Sequence, residues 1–394
     1  MFTNSLYAKA YQGLSQLDGP VAAFYSAGEG FLPLIAALPT ETFTAHNAQQ
    51  VLSFEHRHQD DLIVAAFPFE FPESPATLSA FPAWVRIDLD GQHIEGSDPE
   101  AKELLSKRCK QPAKPTANQP LGLSEETLDP AAYQESIQQI FEWIRAGEVY
   151  QLNYTTQLKA QTNADPRDWF LPSIDQSPPP FSALFSTDEF SLLSLSPERF
   201  IQTDGERIYT DPIKGTGPRL PGDIDDKLQR AWLQSSEKEA AELNMITDLL
   251  RNDLGQICQV GSVSIETPRT VSAHLEVLHT HTRVAGKLKK RFHGLAALLE
   301  MLPGGSISGC PKGRAVELIR QIETEPRGFY TGALGYRLPG GDLCFNLMIR
   351  TLVFQSNQVS LGVGGGITLD SDPAAELAEA KQKAKSVLTR FSKT

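Results

Sequence analysis

The chain has little cysteine: Cys109, Cys258, Cys310 and Cys344 are scattered over 394 residues, with no C-x-x-C pair. That excludes a disulfide scaffold and a cysteine-built metal module, and it points to reduced thiols. Positive charge is also short. Lys and Arg number 36 against 48 Asp and Glu, a net charge of -12. Non-specific nucleic-acid binding needs clustered basic residues, so it is excluded, whereas small anionic substrates held by local charges are not. No apolar run approaches the roughly 18 residues of a membrane span. The first ten residues lack the basic segment and apolar core of a signal peptide. The expectation is a cytoplasmic protein without nucleic-acid or membrane partners. Internal repeats and low-complexity tracts are absent as well.

What is present fits a globular chain, since hydrophobic residues make up 40% and charged residues 21%. Residues 1–100 alternate apolar stretches with Pro and Gly, which predicts strands and turns. Residues 107–120 are polar, basic and Pro-containing, a linker or crossing loop. It separates a β-rich N-terminal region, 1–120, from the remainder, 121–394. Asp129-Pro130 caps a predicted helix whose face is Tyr133, Ile137, Ile140, Phe141 and Ile144. Further helices are predicted over Ser236 to about Leu254, Gly313 to about Ile322, and from Asp372-Pro373 toward Phe391. Strands are predicted at Val149–Leu158, Phe181–Leu195, Arg207–Tyr209, Thr331–Leu338, Leu343–Val353 and Val359–Val363. Long strands segregated from long helices give an α+β class.

Lys214 stands in Asp211-Pro212-Ile213-Lys214-Gly215-Thr216-Gly217, where one proline and two glycines constrain the backbone around a single amine. Such an amine is a nucleophile, a phosphate clamp or a surface charge. Two predicted helices carry Glu239/Glu242 and Glu376/Glu379, each pair on one face near an N-terminus. Apart, they are solvated acidic first turns. Brought together, they make an oxygen-rich site suited to Mg²⁺. The loop Pro303–Gly313 is glycine-rich, but Cys310 stands where a Walker lysine belongs, so it offers backbone N–H groups to an anion or is a tight turn. Gly364-Gly365-Gly366, after a strand, permits close backbone approach of a ligand or forms a bulge. Arg350, in an apolar strand, either pairs with a buried acid or forks onto a substrate carboxylate. Glu198 is a general acid or base, or the partner of Arg199. His279 and His281, two apart, make a weak zinc pattern and default to hydrogen-bonding roles.

In order along the chain, Gly147–Asn153, Ser196–Phe200, Asp211–Thr216, Glu239–Asp253, Pro303–Arg314, Arg327–Gly332, Ile349–Thr351 and Gly364–Lys383 resemble the chorismate-binding enzymes. That family includes component I of anthranilate synthase and of aminodeoxychorismate synthase, and the isochorismate and salicylate synthases. The resemblance covers about residues 125–390 and implies an anthranilate synthase component I-like fold, with large β-sheets packed together and flanked by helices; 121–394 would be the catalytic part. It implies chorismate as substrate and Mg²⁺ as cofactor, with Glu242 and Glu379 as metal ligands and Glu239 and Glu376 as the outer pair. Tyr330 and Arg350 match residues that hold the enolpyruvyl carboxylate. Gly364, Gly365 and Gly366 match a cradle for the ring carboxylate, while Thr216 and His279 match positions near the ring. Lysine at 214, where anthranilate synthases carry alanine, is similar to the branch that aminates chorismate at C4. Lys214 and Glu198 are then the catalytic pair, nucleophile and general acid, in a transferase supplying 4-aminobenzoate for folate. No glutamine amidotransferase motif is found, so ammonia comes from solution or from a glutaminase partner subunit. The alternatives are anthranilate or isochorismate synthesis, and a non-catalytic subunit that keeps the fold.

Overall fold

The computed structural model describes residues 2–26, 28–111, 119–175, 177–218, 223–273 and 277–391, without the side chains of 2–4, 216–218, 223–225, 238, 272, 273 and 277. Most of the linker expected at 107–120 falls outside these residues.

Two ten-stranded sheets dominate, and every described pairing in them is antiparallel. The first runs, in spatial order, through 309–310, 151–161, 358–367, 351–355, 191–196, 181–186, 21–25, 34–37, 83–88 and 91–96. The second runs through 213–218, 277–287, 207–211, 199–204, 343–347, 333–337, 62–67, 76–81 and 41–45, with 264–273 added on 277–287. Strands from the first hundred residues thus complete both sheets.

The packing follows from the two-residue period of a strand. In Leu62–Phe67 every residue is buried. Leu62, Val64 and Ala66 join one apolar cluster, and Ile63, Ala65 and Phe67 join another. The first cluster also holds Ala22, Phe24, Phe185, Leu192, Leu334 and Tyr336, so it lies between the sheets. Phe24 meets Phe31 and Tyr336 edge-on there, at 4.8 and 5.0 Å between ring centres. Burial of each such side chain contributes about 1.5–3 kcal/mol. The second cluster packs beneath helices.

Helices form where their capping residues stand. Asp129 accepts from the N–H groups of Ala131 and Ala132 and starts Pro130–Arg145, which buries Tyr133, Ile137, Ile140, Phe141 and Ile144. Asp372 accepts from Ala375 N–H and starts Pro373–Leu388. Ser236 caps Glu237–Ile257. The strands-and-turns reading of residues 1–100 needs correction, because Phe2–Leu14, Ala48–Arg57 and Pro99–Arg108 are helices. Asn47 and Asp98 cap the latter two, but their apolar faces are thin: Val51 and Phe54 are buried in one, Leu105 alone in the other. Among the described residues, no helix is long and apolar enough to cross a membrane.

Two further corrections bear on the site. The predicted strand Leu343–Val353 is two strands in different sheets, Leu343–Leu347 and Thr351–Gln355, and Arg350 occupies the break at φ 51°. Gly364, Gly365 and Gly366 do not follow a strand; they lie inside Gln358–Ile367.

Candidate active site

The chain passes between the sheets at two adjacent places. Pro197 and Glu198 join 191–196 of the first sheet to 199–204 of the second, and residues 348–350 make the return passage. Leu347 N–H donates to the Glu198 carbonyl (3.2 Å), Leu195 N–H donates to the Arg350 carbonyl (3.0 Å), and the Ser194 and Thr351 hydroxyls share a hydrogen bond (2.8 Å). These ties lock the crossings together and bring Glu198 and Arg350 to one locality.

The crossing also opens a sheet edge. Pairing between 351–355 and 358–367 ends at Leu352–Leu361, just short of the Arg350 break. On its other side 358–367 stays paired to 151–161 as far as Ile367–Leu152. Among the described residues, one edge of the strand from Gly362 to Gly366 therefore has no strand partner. Tyr330 seals the start of this edge. A Cβ on Gly362 would stand 2.2 Å from the Tyr330 ring, so the ring rests directly on the glycine backbone. Burial pushes the Tyr330 phenol far above its ordinary pKa, which keeps it a neutral donor.

Arg350 stands in the break of the return passage, next to where this pairing ends. Among the described residues its guanidinium has no hydrogen bond or ion pair. Burial, with the positive charge of Arg390 next in importance, pulls its pKa below the usual value. An enclosed guanidinium without an acid calls for an anion. Among the described residues, no buried acid pairs with Arg350.

Glu198 is buried, and Ser306 Oγ donates to its Oε1 at 2.8 Å. Burial pushes this carboxyl up to about 7, against the pull of the Ser306 hydrogen bond and the Lys214 charge. It therefore keeps its proton up to about pH 7. Its neighbour Arg199 is not its partner, being paired instead to Asp211. Ser306 is itself held, because its carbonyl accepts from Asn153 Nδ2 at 2.7 Å. Buried Arg327 donates to the Asn153 and Ile307 carbonyls at 2.7 and 2.8 Å and pairs with Glu323. The glycine-rich loop is thus clamped to the strand 151–161 and serves to hold a carboxyl.

Lys214 lies on the edge strand 213–218 of the second sheet, across from Thr280, and a bulge follows with Gly215 at φ 80°. Its Nζ is 4.0 Å from Glu242 Oε2, both side chains being partly buried. A Cβ on Gly215 would meet Glu239 Oε2 at 3.0 Å, so the first glutamate pair stands over this bulge. His279 is buried across from Thr216, whose side chain lies outside the described residues. Burial lowers the pKa of His281, which favours a neutral ring.

The second glutamate pair stands over the glycine edge. Glu376 accepts from Ser371 Oγ (2.7 Å), and a Cβ on Gly365 would be 3.3 Å from its Oε2. Glu379 pairs with Lys383 (2.8 Å), which also donates to the Gly364 carbonyl (2.9 Å). Four carboxylates, oxygen donors only, fit Mg²⁺ by their chemistry. They are not gathered: among the described residues no three His, Cys, Asp or Glu side chains are grouped to hold a metal, and Glu242 and Glu379 face lysines instead.

Ser306, Asn153, Lys383 and Thr280 were missed as individual residues, although the first three lie within recognised motifs. Glu198 and Ser306 are 108 positions apart, and no local pattern links them.

The chorismate binding enzyme family matches residues 33–389 of this chain. Aminodeoxychorismate synthase component 1 of Escherichia coli is 37% identical over 261 residues, covering 66% of this chain and 58% of that protein. An anthranilate synthase component 1 of Haloarcula marismortui is 36% identical over 276 residues, covering 69% and 55%. The chain therefore spans a little over half the length of these relatives. Among solved structures, anthranilate synthase component I from Streptococcus pneumoniae superposes with a TM-score of 0.82 at 22% identity, covering 92% of this chain and 93% of that one. MenF, the menaquinone-specific isochorismate synthase of Escherichia coli, superposes at 0.80 with 19% identity, covering 97% and 91%. The expected fold, large sheets flanked by helices, is the one observed.

Proposed function

This chain belongs to the chorismate-binding enzyme family, and from that premise we propose that it aminates chorismate at C4, converting chorismate and ammonia to 4-amino-4-deoxychorismate and water. The observation that carries the reading is an amine, Lys214, whose charge is felt by a buried carboxyl poised near pH 7, Glu198. A nucleophile and an acid are the two groups such a substitution needs.

Lys214 Nζ forms a bond to ring C2 as the double bonds shift and the C4–O bond breaks. The Glu198 proton goes to the departing hydroxyl, which leaves as water. Ammonia then bonds to C4, the double bonds shift back, and the C2–N bond breaks to return the free Lys214 amine. The new ammonium at C4 gives its extra proton to the Glu198 carboxylate, which restores the acid. Arg350 and Tyr330 would hold the enolpyruvyl carboxylate, and the open edge at Gly364, Gly365 and Gly366 would take the ring carboxylate. Glu239, Glu242, Glu376 and Glu379 would hold Mg²⁺, whose positive charge would offset the negative charge of the ring carboxylate. A glutaminase subunit is the proposed ammonia source, and the cytoplasm the proposed location.

The 36% identity to an anthranilate synthase component favours a second reading, formation of anthranilate. Lys214 weighs against it. Lys214→Ala is expected to abolish 4-amino-4-deoxychorismate formation, assayed by product chromatography after incubation with chorismate, Mg²⁺ and ammonium. Retention of that activity by the variant would remove the covalent role of Lys214.

A further inference from the structure

Ser306, the hydroxyl that holds Glu198, stands in a loop whose two ends meet one buried carboxylate. Asp253 is 4% exposed and lies on the inward face of the helix Glu237–Ile257. At the far end of the loop, Lys312 Nζ donates to Asp253 Oδ2 at 2.9 Å. At the near end, a Cβ on Gly305 would stand 3.3 Å from the same oxygen and 2.8 Å from Leu249 Cδ2. Leu249 and Asp253 are four residues apart, so one face of the helix rests directly on the Gly305 backbone. The other side of the turn is closed as well. A Cβ on Gly304 would stand 2.9 Å from Leu347 Cδ2 and 3.4 Å from the Phe200 ring, on the strands that flank the Glu198 crossing. Burial pushes the Asp253 carboxyl above its ordinary pKa, against the pull of Lys312. Desolvation consumes most of the attraction in such a pair, so net stability does not account for it. What it fixes is the seat of the loop.

We infer that Asp253 is a positioning residue for Glu198: it clasps the loop at Gly305 and Lys312 and so holds Ser306 Oγ against the carboxyl. The inference deepens the amination reading above and rests on it for the acid role of Glu198. The clasp itself is independent of that role. Without it, the turn at Gly305 loses one wall, and Ser306 Oγ drifts from its place 2.8 Å from Glu198 Oε1. A carboxylate that loses a donor is harder to form, so Glu198 would keep its proton to higher pH. Lys214, whose charge also reaches Glu198, stands on the separate strand 213–218, and that influence stays in place. The helix of Asp253 also carries Glu242, 4.0 Å from Lys214 Nζ, so both partners of the substitution are referred to one element.

The test follows the pH at which folded Glu198 gives up its proton, about 7 in the wild type. It is read as the bend in the stability difference between each protein and its Glu198→Gln counterpart, by urea unfolding across the acid-to-alkaline range. Asp253→Ala, which removes the clasp, is expected to raise that pH by about half a unit to one unit, the worth of one hydrogen bond. Asp253→Asn keeps the shape and an acceptor for Lys312, and its bend should stay within about 0.2 units of the wild type. Lys312→Met opens the far end of the clasp alone and should move the bend upward too; it decides if Asp253→Ala does not fold. A bend left at about 7 in the deciding variant overturns the inference. That holds however much the variant is destabilised, because a purely structural pair lowers stability without moving the bend. The alkaline decline of kcat should move with the bend. If the wild type makes no 4-amino-4-deoxychorismate, the unfolding measurement decides alone, and a shifted bend keeps the clasp while the amination reading falls.

Discussion

Replacing Glu198 with Gln should change how stability depends on pH. Burial holds this carboxyl at about 7, up from an ordinary value of 4.5. At 1.36 kcal/mol per pH unit, that displacement is worth about 3 kcal/mol. The sign follows from proton counting. Between 4.5 and about 7 the folded protein keeps a proton that the unfolded chain has lost, so stability falls as pH rises across this window. Below it both states are protonated, above it neither is, and the contribution is flat. Glutamine keeps the shape and the acceptor for Ser306 Oγ but does not titrate. The assay is urea unfolding of wild type and Glu198→Gln from pH 4 to pH 8, taking the difference so that shared titrations cancel. Wild type should lose about 3 kcal/mol relative to the variant across the range, and wild-type turnover should decline above pH 7 as the acid form disappears. Parallel stability curves, differing by less than about 0.5 kcal/mol at all pH values, would refute both the burial argument and the acid role built on it.

Arg350→Met should separate binding from stability. It removes an enclosed cation that lacks a partner among the described residues, so the free protein should unfold at equal or higher denaturant while the KM for chorismate rises at least tenfold; a destabilised variant that still binds chorismate would contradict the anion site. Gly362→Ala places a methyl 2.2 Å from the Tyr330 ring. It should cost about 1–3 kcal/mol in thermal unfolding and weaken chorismate binding, and wild-type behaviour on both counts would show that the ring does not rest there.

The sequence carried the helices whose caps and apolar faces agree. Asp129-Pro130 and Asp372-Pro373 were legible because a periodic face follows each. Asp98-Pro99 and Asp165-Pro166 bear the same cap signature, but one leads into a helix burying only Leu105 and the other into nine residues with Pro172 inside. The site residues were legible as motifs, whereas their arrangement was not. An apolar run continues through Leu343–Val353, so nothing in its composition marks the change of sheet at Arg350; the mark is a positive φ, which a sequence does not display. The open edge at Gly362–Gly366 depends on where a neighbouring strand stops, and the partnership of Glu198 with Ser306 on a contact between distant segments. The glutamate pairs were legible as pairs, whereas the lysines beside Glu242 and Glu379 come from a strand and from the same helix, respectively, and were not.

The central claim is that Lys214 directs this site to amination at C4, and product identity tests it most directly. The purified chain, given chorismate, Mg²⁺ and ammonium, should yield 4-amino-4-deoxychorismate by chromatography and mass, and should form an adduct at Lys214 detectable in the quenched protein. Anthranilate or isochorismate as the main product, with Lys214 unmodified, would contradict the account.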